Sequence, residues 1–347
     1  MPPLTSTYRI QFGPDFTFAD ARAIVPHLAA LGVSHLYASP ILAAHPGAAH
    51  GYSVIDPTRL DPRLGTRADF DALVDALHAH DMGLILDIVP NHMAADTSNP
   101  WWRDVLTHGA ASRFAHVFDI DWTAGPPARQ GRIVLPILGS PLVETLRSGD
   151  AALTLGADGA FAIRFPGHEL PVDPKSLEAL LTVGDAPRSL EPALEAIRAM
   201  PNRLDARDHA EERAAATDRF HAALGLALAT AEAATAWLDR QIERLNALLA
   251  EAAPAALAFL DSQPWIAMHW REGLAKINYR RFFDIADLVC LRMEDERVFD
   301  LTHALIGELV RSGAVDGLRI DHIDGLADPA AYLRRLKSTL SPDRPAL

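Results

Sequence analysis

A single cysteine, Cys290, leaves no partner for an internal disulfide. The opening Met1-Pro-Pro-Leu4 shows no basic stretch leading into an apolar one, so no secretory leader is read there and a reducing cytoplasm is the expected compartment. No run of 18 uninterrupted apolar residues occurs, which argues against a helical membrane span. Positive charge is scarce. With 32 basic against 45 acidic residues the formal charge is −13, which opposes any broad attraction to nucleic-acid phosphates or anionic lipid. No Gly-x-Gly-x-x-Gly or Walker-type loop follows an expected strand, which counts against a doubly wound nucleotide-binding fold. A neutral ligand such as a sugar fits this balance, without nucleic acid or membrane as partner.

What is present is a 347-residue chain, 49% hydrophobic, able to bury a sizeable core. Its first part alternates strand and helix patterns: Thr7–Phe12 extended, Phe18–Leu31 helical, Val33–Ser39 extended, Ala68–His80 helical and Gly83–Val89 extended. Nearly unbroken apolar strands such as Leu84–Val89 suit a parallel sheet covered on both faces. Four segments are expected: residues 1–93 with three β/α units, a loop-rich inserted subdomain over 94–184, a helical insertion over 185–290, and 291–347 with a fourth strand and flanking helices. The Ala-, Leu- and Glu-rich stretch from 190 to 257 predicts two or three long helices. Beyond it come a helix at Val298–Ser312, a strand at Val315–Ile320 and a helix from Ala330 to Leu336 or slightly beyond, followed by a Pro-containing connection at 341–347.

Charged residues cluster where apolar strands end. In Gly317-Leu-Arg-Ile-Asp-His-Ile-Asp-Gly325, the two-residue period puts Arg319 and Asp321 on one face. An arginine there favours the ionised carboxylate that a nucleophile needs, and a plain ion pair closing the strand is the alternative. Asp87-Ile-Val-Pro-Asn-His-Met93 ends another strand, so Asp87, Asn91 and His92 can share the mouth of a β/α fold with Asp321. His92 can donate to a hydroxyl or simply satisfy a loop carbonyl. Asp87 and Asn91 can instead hold a structural cation. In His50-Gly-Tyr-Ser-Val-Ile-Asp-Pro57, Tyr52 offers a ring for stacking or for the core, Gly51 a sharp turn, and Asp56 a loop-fixing hydrogen bond.

Together these residues resemble the alpha-amylase clan, whose Asp-x-x-x-Asn-His pattern matches Asp87, Asn91 and His92 and whose Gly-x-Arg-x-Asp pattern matches Gly317, Arg319 and Asp321. Segments such as Ser6-Thr-Tyr-Arg-Ile-Gln11, Ile277-Asn-Tyr-Arg-Arg-Phe-Phe-Asp284 and Arg319-Ile-Asp-His-Ile-Asp-Gly-Leu326 extend the likeness to the clan's glucosylmutases over nearly the whole chain. The resemblance implies a TIM (β/α)8-type barrel with about the first four β/α units present and a large insertion after the third strand. It implies an α-1,4-glucan or maltooligosaccharide substrate whose reducing-end linkage becomes α,α-1,1, and neither cofactor nor metal. Asp321 would be the nucleophile and Arg319 its orienting partner. Tyr52, His50, His92, Asp87, Asn91 and His322 would line the sugar site.

The clan's general-acid glutamate belongs on the next barrel strand, with a further aspartate after it, and no residue here sits in either context. The expectation is therefore an amino-terminal portion of a longer enzyme. Its terminal strands would have unpaired edges that favour aggregation unless another chain completes the barrel.

Overall fold

The computed structural model describes residues 3–340 except 157, 183 and 204–208. The expected connection at 341–347 lies outside the described residues. The chain divides into two compact units, one formed by residues 1–100, 116–119 and 280–347, the other by 101–115 and 120–279.

The first unit is built on four parallel strands: β1 (Thr7–Ile10), β2 (His35–Ala38), β3 (Gly83–Ile88) and β4 (Gly317–Ile320). Their order in the sheet is their order in the chain, β1-β2-β3-β4. Helices α1 (Phe18–Ala30) and α2 (Arg67–Ala79) supply the first two crossovers. Both start at a threonine with an aspartate three residues on. In α2 the Asp69 amide donates to Thr66 Oγ1 at 3.2 Å while the Thr66 amide donates to Asp69 Oδ2 at 2.8 Å, satisfying donors the helix leaves free. Phe18, Ala21, Val25 and Leu28 of α1 recur at helical spacing and are buried. Phe12, Phe18 and Phe70 then meet edge to face, with centroids 5.4 Å apart in each successive pair. Burial of each such ring is worth about 1.5–3 kcal/mol.

Further along the chain, α3 (Glu296–Arg311) starts with Asp295 Oδ1 accepting from the Arg297 amide at 2.9 Å, and α4 (Pro329–Leu340) follows β4. His303 of α3 is a core residue, stacked on Phe299 at 4.2 Å with Nε2 2.9 Å from the Tyr332 hydroxyl. Burial pushes it down to about 4.

These elements fall within about two residues of their expected positions, except that α4 runs on to Leu340, four residues past Leu336. The inner strands β2 and β3 are largely buried, as their apolar runs require. Two short antiparallel pairs were not anticipated: Leu42–Ala44 with Val54–Leu60, and His92–Ala94 with Leu288–Cys290.

In the second unit, Ile133–Leu138 pairs in parallel with Trp265–His269, a strand pair whose partners lie far apart in sequence. Strands Ala152–Leu155, Phe161–Phe165 and His168–Pro171 form an antiparallel sheet inside the stretch read as loop-rich. The Ala-rich region forms two long helices, Ala210–Thr230 and Glu232–Ala250, flanked by the shorter Glu191–Ala199 and Pro254–Asp261. Trp265 anchors this unit, donating from Nε1 to the Pro171 carbonyl at 2.7 Å. Among the described residues no helix is long and apolar enough to cross a membrane.

Candidate active site

Strand register assembles the site. Arg9 pairs with Tyr37, Tyr37 with Ile85, and Asp87 with Arg319. Because side chains alternate along a strand, Arg9, Tyr37, Asp87, Arg319 and, two residues on, Asp321 share one face at the carboxyl ends. The Asp321 amide donates to the Ile88 carbonyl at 2.9 Å, which fixes its backbone where β4 ends.

Arg319 is the bridge. Its Nη1 lies 2.5 Å from Asp321 Oδ1 and 2.9 Å and 3.1 Å from the two oxygens of Asp87. Asp87 and Asp321 are both buried, which makes these charge-assisted contacts in a partly dry setting. Burial pulls the guanidinium down, but hydrogen bonds to Asp87 and Asp321 more than offset it and raise Arg319 overall.

Asp87 Oδ2 also accepts from the Tyr52 hydroxyl at 2.8 Å and the Tyr37 hydroxyl at 3.0 Å. Burial first, then the Asp87 carboxylate, raises both phenols, so they stay protonated donors. Arg9 Nη2 completes the network, donating to the Tyr52 hydroxyl at 3.1 Å and to Gln11 Oε1 at 2.9 Å. The face therefore carries one arginine shared by two carboxylates, of which Asp87 also accepts from two tyrosine hydroxyls. Arg9 and Tyr37 were missed by the motif reading. A polar residue within a short strand, repeated at the register position of the next strand, is the signal that finds them.

The remaining expected residues take varied positions. Tyr52 is half-buried and its hydroxyl is committed to Asp87. His50 is exposed and shapes the Tyr52 loop, its Nδ1 accepting from the Tyr52 amide at 3.2 Å. Gly51 is needed for close approach: a Cβ there would lie 2.2 Å from the Pro40 carbonyl oxygen, and its φ is not positive. Asp56 fixes its loop as expected, accepting from the Thr58 amide at 2.9 Å.

Asn91 is buried and turned away from Asp87. Its Nδ2 lies 3.7 Å from Cys290 Sγ, and its Oδ1 lies 3.3 Å from Arg280 Nη1. Asp87 and Asn91 thus do not converge on a cation, and no group of three His, Cys, Asp or Glu side chains fit to hold a metal occurs among the described residues. Arg280, also missed by the motif reading, clamps this region, donating to Asp119 Oδ2 at 2.7 Å, to the Gly325 carbonyl at 2.6 Å and to the Leu291 carbonyl at 3.1 Å.

His92 is buried, stacked on Phe282 at 4.1 Å, with no hydrogen-bond partner at Nδ1. Burial, with a smaller push from His322, drives it down to about 4, so it is neutral at pH 7. His322 is half-exposed, with Nε2 3.9 Å from Asp321 Oδ2.

The His92 shift has a signed consequence. Below about pH 6.5 an unfolded chain takes up a proton that folded His92 refuses until about pH 4. The His92 contribution to stability is complete above about pH 6.5 and is lost as pH falls toward 4. The urea midpoint is expected to drop between pH 7 and pH 5, and His92→Gln to shrink that drop. An undiminished drop would assign the acid sensitivity elsewhere, with His303 the next group to examine.

The description "Alpha amylase, catalytic domain" matches residues 23–125. A Mycobacterium tuberculosis protein named as a maltooligosyl trehalose synthase is 37% identical over 98% of this chain, which covers 34% of that protein. An intracellular maltogenic amylase of Bacillus subtilis is 36% identical over 30% of this chain and 18% of its own length. Among solved structures, the maltooligosyltrehalose synthase of Arthrobacter ramosus superposes with a TM-score of 0.66 at 32% identity, covering 98% of this chain and 34% of that one. Along nearly its whole length, this chain is thus related to the maltooligosyltrehalose synthases of the alpha-amylase family, has their α/β barrel-type fold, and spans about a third of their length.

Proposed function

We propose that this chain carries the nucleophile-bearing part of an enzyme that isomerises maltooligosaccharides, converting the reducing-end α-1,4 linkage into an α,α-1,1 linkage. The observation that carries the reading is Arg319 bridging buried Asp87 to Asp321 at the mouth of the parallel sheet. Asp321 attacks the anomeric carbon next to the terminal glycosidic bond while a proton donor protonates the leaving oxygen, forming a covalent glycosyl-enzyme. The released glucose stays bound and attacks that intermediate through its own anomeric hydroxyl. Two inversions keep the α configuration at the transferred carbon. Retaining the glucose makes the second step effectively intramolecular and keeps water from competing.

The proton donor and the third carboxylate come, on this reading, from outside these 347 residues, together with the strands that continue the sheet beyond β1 and β4. The exposed Thr7, Tyr8 and Arg9 of β1 and the half-exposed β4 support a complementing segment or chain. Lack of the acid alone is worth about 10²–10⁴-fold in rate. It also favours a second reading, a glucan-binding fragment without turnover.

Maltopentaose separates these readings. A protein in which the chain is completed is expected to consume reducing ends without releasing glucose, and the chain alone to bind maltopentaose with turnover slowed by that factor. Release of new reducing sugar would redirect the assignment to a hydrolase or transglycosylase of the same family. Absence of binding by either protein would sink it.

A further inference from the structure

A series of rings runs outward from the interior beside Asp321. Buried His92 stacks on Phe282, and Phe282 meets His322 edge to face at 4.6 Å and lies tilted against Phe283 at 4.5 Å. The series ends on Phe283, whose ring stands perpendicular to that of His322 at 5.4 Å and 89°. Phe283 is 70% exposed, and Ile285 after it is 45% exposed. Both ride the tip of a small hairpin. Arg281 bridges Val289 across it, the Phe282 amide donates to the Leu288 carbonyl at 3.1 Å, and Arg281 Nη2 donates to Asp284 Oδ1 at 2.8 Å.

The backbone is strained at both partners. Phe283 has φ +50° and His322 φ +47°, a left-handed conformation that a bulky side chain rarely adopts. Two strained residues touching each other next to a candidate nucleophile match where such strain is retained, at ligand clamps and active sites. Stability alone gives no reason to hold an aromatic ring in solvent at a left-handed position.

We propose that Phe283, with His322 at its edge, is a sugar-stacking platform on the rim of the Asp321 site. It takes the C–H face of one glucose unit of an α-glucan and so helps determine which sugar is held there. This rests on the α-glucan reading above and adds a residue to it. A glucose ring offers an apolar C–H face and a hydroxyl-bearing edge, and a phenyl face matches the first without competing for the second. Size favours a sugar over a protein partner. The exposed apolar side chains at this tip are Phe283 and Ile285, bounded by the highly exposed carboxylates of Asp284 (96%) and Asp324 (80%), whereas a stable protein interface needs about 800 Å² per partner. The carboxylate rim also suits a neutral ligand over an anionic one.

The test is calorimetric titration of maltopentaose into the wild-type chain and into Phe283→Ala, Phe283→Tyr and Phe283→Gly. Affinity is expected to fall about tenfold in the alanine and glycine variants and to stay within about twofold in the tyrosine variant, which keeps the ring. Glycine removes the ring and relieves the positive φ together, so it should bind as weakly as alanine while melting no lower than wild type, which separates lost stacking from damaged folding. Unchanged affinity in Phe283→Ala overturns the platform and leaves the α-glucan reading standing. Unchanged affinity with reduced self-association would make the ring a protein contact and overturn it equally. No maltopentaose binding by the wild-type chain overturns the platform together with the reading beneath it.

Discussion

Asp321→Asn is expected to lower maltopentaose turnover by at least about 10³-fold in any protein that contains this sequence and is active, while leaving maltopentaose affinity within about threefold. The substitution conserves volume and leaves one oxygen to accept from Arg319, whose guanidinium keeps both oxygens of Asp87. Fold and pocket shape should therefore survive. What disappears is the anionic oxygen that forms the bond to the anomeric carbon, an interaction made only along the reaction path, so the loss falls on kcat and not on binding. Asp324→Asn is the control. Asp324 lies three residues on, its Oδ1 3.8 Å from His322 Nδ1 and its side chain 80% exposed. Its replacement should leave turnover within about threefold. Retention of a tenth or more of turnover in Asp321→Asn, or equal losses in both variants, would remove Asp321 from the nucleophile's role.

How far the site was legible depends on what each residue needed to reach it. Asp87, Arg319 and Asp321 are placed by local pattern, an apolar strand followed by charge, and period-two alternation set Arg319 and Asp321 on a common face before any register was known. Thr17 and Thr66 mark their helices in the same local way. Arg9 and Tyr37 join the site only through inter-strand register, which a single sequence does not state. Arg280 and Phe282 arrive from a loop well before β4 in the chain, so no local pattern links them to Asn91 or His92. The burial of His92 follows from that loop as well. In the second unit, the pairing of Ile133–Leu138 with Trp265–His269 was hidden for the same reason, while the long helices showed plainly in their 3.6-residue period.

The second unit should respond most strongly to loss of Arg213, whose guanidinium is fully buried. Arg213 Nη2 donates to Asp173 Oδ1, Nη1 to the Pro201 carbonyl, and Nε to His108 Nδ1 at 3.2 Å. Asp173 is held in turn by the Lys175 amide at 3.0 Å, and its own amide donates to Gln263 Oε1 at 3.0 Å. Arg203 lies 4.0 Å from the same carboxylate. Burial pushes Asp173 up and pulls Arg213 down, each partly offset by the other, while burial and the neighbouring Arg213 drive His108 down to about 3. Arg213→Met fills much of the same volume but leaves a buried carboxylate, a carbonyl and an imidazole nitrogen without their donor, and the expected cost is about 3–5 kcal/mol. All six tryptophans, at 101, 102, 122, 237, 265 and 270, belong to this unit, so the urea midpoint followed by tryptophan fluorescence reports it directly. Because the penalty comes from stranding a charge and not from losing an attraction, Asp173→Leu combined with Arg213→Met should be less destabilising than Arg213→Met alone. A single substitution costing under about 1 kcal/mol, or a double variant as unstable as the sum of its parts, would show that the ion pair is not what holds these segments together.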